Sequence, residues 1–134
     1  MRLEVQRSGR RFRGIKAWQR ADTLVGQIYK MTQAFPQNEQ YGMTSQMRRA
    51  AVSVAANIVE GSARRSHREY LQFLSVSRAS LSEMSYYIDL AYRLGYLSVS
   101  QFDGLNQMAE ETARVLYGLI QSVSKEAAGV VVYG

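Results

Sequence analysis

Residues 66–95 read SHREYLQFLSVSRASLSEMSYYIDLAYRLG, and the reading of this stretch decides the fold. It opens on Ser66-His67-Arg68-Glu69, the spacing of a capping box: the serine hydroxyl accepts from the backbone of Glu69 while the carboxylate reaches back. Tyr70, Leu74, Ser77, Leu81, Met84, Ile88 and Ala91 then recur at alternating steps of four and three, which puts them on one side of a helix. Gly95 is a natural stop, because glycine takes the left-handed conformation that ends helices.

The same pattern repeats on both sides. Downstream, Ser98-Val99-Ser100-Gln101 is a second capping box, followed by Phe102, Leu105, Ala109, Thr112, Leu116, Leu119 and Val123 at helical spacing. Upstream, a helix capped by Thr44 or Ser45 runs to about Glu60, with Met47, Ala51, Val54 and Ile58 inward and Gly61 as its stop. Before that, Trp18, Ala21, Val25, Ile28, Thr32 and Phe35 mark a helix from Ile15 to Phe35, which Pro36 cannot continue. Strand-like alternation is nearly absent. Four such segments with short links predict an all-α fold, an antiparallel up-down-up-down four-helix bundle over 15–125. A flexible, disordered basic tail is expected over 1–14 and a C-terminal tail over 126–134, where Val130-Val131-Val132-Tyr133 is too short to assign.

At 134 residues the chain holds one domain, large enough to fold without staples. It has no cysteine, which excludes disulfides, thiol catalysis and cysteine-ligated metals. Its one histidine, His67, lies inside a cap sequence and follows no Glu-x-x-His pattern, so no metal site and no cofactor is expected. No phosphate loop, dinucleotide glycine pattern or nucleophile elbow is present, and Glu110 and Glu111, being adjacent on a helix, do not converge. No catalytic residue is therefore assigned. No segment approaches the length of an apolar membrane span, and no apolar stretch follows the N-terminal arginines as a secretory signal requires; the expected location is the cytoplasm.

The charge is +6, from 17 basic and 11 acidic residues, and it is unevenly placed. Residues 1–14 carry +4, residues 43–78 carry +4, and residues 79–134 carry −3. Most of the bases are arginine, whose planar fork pairs with phosphate oxygens. Arg48, Arg49, Arg64, Arg65 and Arg68 are the candidate nucleic-acid-binding set. For all five the competing reading is ion pairing with Glu60, Glu69 and the acids of the fourth helix; it is preferred for Arg48 and Arg49, and the binding reading for Arg64, Arg65 and Arg68.

The third helix is weakly charged all round, and Val76, Ala79, Tyr86 and Leu90 lie off its core stripe. Val52 and Val59 lie off the stripe of the second. Helices with apolar residues on two sides are buried on two sides, so these six residues form an expected interface between copies of the chain. Asn57 and Glu60, polar in an apolar helix, are expected to be structural: they satisfy each other or a neighbouring turn.

Certain strings resemble a known family. They are Ala17-Trp18-Gln19, Tyr29, Phe35-Pro36, then Tyr41-Gly42-Met43-Thr44-Ser45-Gln46-Met47-Arg48-Arg49-Ala50-Ala51-Val52-Ser53, Asn57-Ile58-Val59-Glu60-Gly61 and Leu94-Gly95-Tyr96-Leu97. Over about residues 15–120 the chain resembles the bacterial four-helix-bundle proteins encoded in intervening sequences of large-subunit ribosomal RNA genes. The accessory variability determinant of diversity-generating retroelements is a relative of these. The family often has proline at the position of Ala55 and alanine at that of Val59. The resemblance implies a four-helix bundle, assembled in relatives as a pentameric ring, and it does not imply an enzyme. The retroelement relative binds nucleic acid through a basic surface and has a reverse transcriptase as partner. Gln46, Arg48 and Arg49 match the family motif. The expected function is electrostatic binding of RNA or DNA by a homo-oligomeric bundle, the alternative being a protein–protein adaptor or scaffold.

Overall fold

The computed structural model describes residues 11–129. Among these residues the chain forms four α-helices and no strand: α1 (Lys16–Thr32), α2 (Met43–Ser62), α3 (His67–Arg93) and α4 (Val99–Ala127). Each packs on its neighbours in sequence, and α1 packs on α4 to close the ring, so alternate helices run up and down around one core. Met47, Ile58, Leu74, Met84, Ile88 and Leu105 are fully buried at its centre. Residues 1–10 and 130–134, and with them most of the expected N-terminal tail, lie outside the described residues.

The caps follow the sequence fully in α4 and by half in α3, and depart from it in α2. Ser98 Oγ accepts from Gln101 N at 3.1 Å and Gln101 Oε1 accepts from Ser98 N at 2.9 Å, a complete capping box. Ser66 Oγ accepts from Glu69 N at 3.1 Å, but the Glu69 carboxylate meets the serine hydroxyl, not its backbone, so only half of that box forms. Gly95 has φ +81°; its N–H donates to Tyr92 and that of Tyr96 to Ala91, the paired bonds that close a helix through a left-handed residue.

α2 starts at Met43, before the expected cap at Thr44 or Ser45. The first free amide is taken by a side chain from outside the helix: Met43 N donates to Glu39 Oε1 at 3.3 Å. Thr44 is consequently buried. Gly61 does not stop α2 either. It is a buried residue within the helix, and a Cβ there would lie 2.8 Å from both Phe73 Cβ and Tyr70 Cδ1. Glycine is needed because α2 and α3 touch backbone to side chain, not because the chain turns.

α1 ends at Thr32, three residues short of Phe35, and its buried stripe is Ala17, Ala21, Leu24, Ile28 and Thr32. Trp18 and Val25, expected inside, are half-buried at its edge. Residues 11–14, expected within the disordered tail, form a 3₁₀ turn that packs on the start of α1. Phe12 meets the Trp18 ring edge-on at 4.8 Å, and Gln19 Nε2 donates to the Arg13 carbonyl at 2.7 Å. Trp18 is thereby drawn toward the turn.

Serines make the α2–α3 seam tight and polar at once. Ser77 Oγ donates to the Val54 carbonyl at 2.7 Å, and the Ser53 and Ser80 hydroxyls are hydrogen-bonded to each other at 2.7 Å. No buried side-chain nitrogen or oxygen among the described residues lacks a partner.

Candidate nucleic-acid interface

The topology brings the N-terminus of α1, the α2–α3 connection and the C-terminus of α4 to one end of the bundle. Within about two turns of that end lie Arg11, Arg13, Lys16, Arg20, Arg64, Arg65, Arg68 and Lys125. The acids there are Asp22, Glu60, Glu69 and Glu126, so this end holds +4. The opposite end, with Lys30, Arg48, Arg49 and Arg93 against Glu39, Asp89 and Asp103, holds +1, and the waist between them −1. The polarity seen along the sequence is thus a polarity along the bundle axis. The chain before Arg11, with three more arginines and one glutamate, leads into the basic end.

Of the expected set, Arg64, Arg65 and Arg68 share this corner and are exposed. The Arg64 guanidinium lies 4.6 Å from the centre of the Phe73 ring, which holds it without neutralising it. Beside it His67 Nε2 meets Glu126 Oε2 at 2.9 Å, so that acid is engaged by the histidine. Burial, and second the Glu126 carboxylate, raise the Tyr70 phenol above its ordinary value, so the phenol is neutral here at neutral pH.

Arg48 and Arg49 are not part of this corner. Fifteen residues of helix and connection separate Arg49 from Arg64, about 22 Å at 1.5 Å per residue. Nor does Arg48 pair with an acid, as the competing reading required. Its Nε donates to Thr32 Oγ1 at 2.8 Å, its Nη2 to the Tyr29 carbonyl at 3.3 Å, and its guanidinium lies 4.6 Å from the Tyr29 ring centre. Among the described residues the ion pairs are Arg20–Glu111 and Arg93–Asp89, and His67 contacts Glu126; none of these involves the five expected arginines.

The residues expected between copies divide. Val52, Val76 and Tyr86 are 40%, 49% and 56% exposed, and Ala79 is exposed. Val59 is half-buried, and Leu90 packs partly against the chain's own core. Asn57 does not meet Glu60: its Nδ2 donates to the Ser53 carbonyl at 2.8 Å and to Ser53 Oγ at 3.0 Å, one turn back, while Glu60 is exposed. No group of three His, Cys, Asp or Glu suited to a metal occurs among the described residues, and none of the described helices is long and apolar enough to cross a membrane.

Sequence reasoning missed Tyr29, Gln40 and Tyr41, which share a groove of about 500 Å³ with Arg48 and Arg49. A surface tyrosine carries no periodic signal, and the pairing of α1 with α2 that brings Tyr29 to Arg48 exists only in the fold.

A comparison with curated proteins finds no match. Among solved structures, a protein of unknown function from the S23 ribosomal protein family of Bacteroides thetaiotaomicron VPI-5482 has the same fold, with a TM-score of 0.72. It is 20% identical, and the match covers 78% of this chain and 95% of that one. Neither this structure's description nor the matching family's names an enzymatic activity. The family model described as 23S rRNA-intervening sequence protein matches residues 13–118, and the chain belongs to that family.

Proposed function

We propose that this protein is a non-enzymatic, homo-oligomeric bundle that binds RNA or DNA electrostatically through its basic end. The observation that carries this reading is the gathering of +4 at one end of the described bundle, with Arg64, Arg65 and Arg68 exposed and in no ion pair among the described residues. Several cations on one surface are what phosphate affinity needs, because each neutralised phosphate releases counterions. The exposed Val52, Val76 and Tyr86 support self-association, since apolar residues on the outer face of a small bundle find cover on another copy. In such an assembly the basic ends of several copies act together.

Fluorescence anisotropy with a labelled RNA, titrated across salt, tests the reading. Affinity is expected to fall steeply with salt. Replacing Arg64, Arg65 and Arg68 by alanine is expected to flatten the log–log slope by about two, at roughly 0.7 per neutralised single-strand phosphate. The loss should be the same for every RNA sequence. Affinity independent of salt would sink the mechanism. Recovery of a protein partner from lysate that survives nuclease, with no RNA affinity, would favour the adaptor reading.

A further inference from the structure

The groove between the end of α1 and the start of α2 has chemistry that the basic end lacks. Tyr41 is 90% exposed, almost as open as in an unfolded chain. It is held on a short loop that is itself tied down: Glu39 Oε1 accepts from Met43 N, and Glu39 Oε2 accepts from the Tyr96 hydroxyl at 2.9 Å. The Glu39 carboxylate is therefore engaged with the α2 start and Tyr96. Facing Tyr41 across the groove are Tyr29, Arg48, Arg49 and Val52. Arg48 is fixed by two neutral oxygens and a ring, and among the described residues no carboxylate lies within 4 Å of either arginine. A preset guanidinium with only neutral partners is ready for an anion. An aromatic ring left open beside it offers a flat surface to a π-face.

The larger groove between α3 and α4, about 760 Å³, also holds two arginines, Arg78 and Arg114. It places Glu110 among them, which disfavours phosphate, so it carries no comparable argument.

We infer that the Tyr41 groove binds one unpaired nucleotide of a single strand, the base stacked on Tyr41 and the adjoining phosphate on Arg48 and Arg49. Base stacking tolerates any sequence, and a paired base cannot reach the ring. This inference rests on the nucleic-acid reading above and narrows it to unpaired strands at a second place on the molecule.

The test uses the full chain, a labelled 12-nucleotide oligouridylate and a 12-base-pair RNA duplex, both followed by anisotropy at fixed low salt. Because Tyr41 is almost fully exposed, its substitution leaves the core intact. Tyr41→Ala and Tyr41→Leu are expected to weaken oligouridylate binding about tenfold, within the range for loss of one stacked base, and to leave duplex binding unchanged. Tyr41→Phe should bind as the parent does, because the ring and not the hydroxyl is used. Equal loss for both RNAs, or none for either, overturns the inference. A change in the solution mass of Tyr41→Ala by light scattering also overturns it, since the groove would then lie between copies. If the Tyr41 variants bind normally while alanine at Arg64, Arg65 and Arg68 abolishes binding, this inference alone fails. If the parent chain binds neither RNA, the broader reading fails with it.

Discussion

The Tyr96 hydroxyl donates to Glu39 Oε2 at 2.9 Å, joining the loop before α2 to the turn after α3 across 57 residues of sequence. The other oxygen of the same carboxylate caps α2 through Met43 N, and Phe35 packs 5.4 Å from the Tyr96 ring. One carboxylate thus fixes the start of a helix, the path of a loop and the position of a distant turn. It also sets the loop that carries Tyr41.

The Tyr96–Glu39 bond makes stability depend on alkaline pH. The hydrogen bond to Glu39, and then burial, hold the Tyr96 phenol above its ordinary value. Its proton is bound more tightly in the folded chain than in the unfolded one. Its stabilisation is therefore complete below about pH 10 and lost as pH climbs through the raised folded value. Tyr96→Phe is expected to lower Tm at neutral pH and to soften the fall in Tm above pH 10. Tyr70 contributes a separate fall in the same range, so the softening should be partial. Thermal melts of both proteins between pH 7 and about 11 check this; parallel curves would remove Tyr96 from the account.

Gly61→Ala should destabilise the bundle. In an exposed helix this change is stabilising by about 1 kcal/mol, from propensity alone. Here the added methyl would lie 2.8 Å from Phe73 Cβ, an atom next to the α3 backbone that cannot swing aside. Overpacking of this kind costs about 1–3 kcal/mol and outweighs the propensity gain. Urea unfolding should show a lower midpoint for Gly61→Ala. Phe73→Ala would relieve only part of the clash, because Cβ remains.

Much of the fold could be read from the sequence because helical spacing and caps are local signals. Met47, Leu74, Leu81, Met84, Ile88, Leu105 and Leu116 are buried as their spacing implies. The departures are long-range. Glu39 replaces the cap expected at Thr44 or Ser45, and Gly61 is explained by α3, whose approach leaves no mark on α2. Trp18 is drawn outward by Phe12. The candidate site was legible as a set of arginines but not as a shape. Charge counting grouped Arg48 and Arg49 with Arg64, Arg65 and Arg68, whereas α2 sets the two groups at opposite ends of the bundle. The convergence of Arg11 and Arg13 with the α2–α3 connection is a property of up-down topology, not of any motif.

The polar cluster on the α2–α3 seam should show coupling. Asn57 Nδ2 bonds to Ser53 Oγ, and Ser53 Oγ bonds to Ser80 Oγ, so removing Ser80 leaves the first bond in place. Ser53→Ala breaks both. A double-mutant cycle between Ser53→Ala and Ser80→Ala is expected to give an interaction energy of about 0.5–1.5 kcal/mol by urea unfolding. A cycle that closes at zero would mean the hydroxyl pair contributes nothing net.

Deletion of residues 1–10 separates the contribution of the first ten residues from that of the bundle's basic end. The deletion removes Arg2, Arg7 and Arg10 together with Glu4, and it leaves the 3₁₀ turn at Arg11–Gly14 on Trp18. Stability should change little, so Tm is the control. RNA affinity should fall at low salt, and the log–log slope should flatten by about two, at roughly 0.7 for each phosphate no longer neutralised. Alanine at Arg64, Arg65 and Arg68 is expected to flatten it by a similar amount. Because Arg11, where the deletion ends, lies at the same end of the bundle as the corner, the two sets of arginines are expected to share the counterion atmosphere of the same stretch of RNA. The combined variant should then weaken binding by less than the sum of the two. Full additivity would place Arg2, Arg7 and Arg10 on phosphates remote from the bundle end, and an unchanged slope on deletion would leave all the phosphate neutralisation to the rest of the chain.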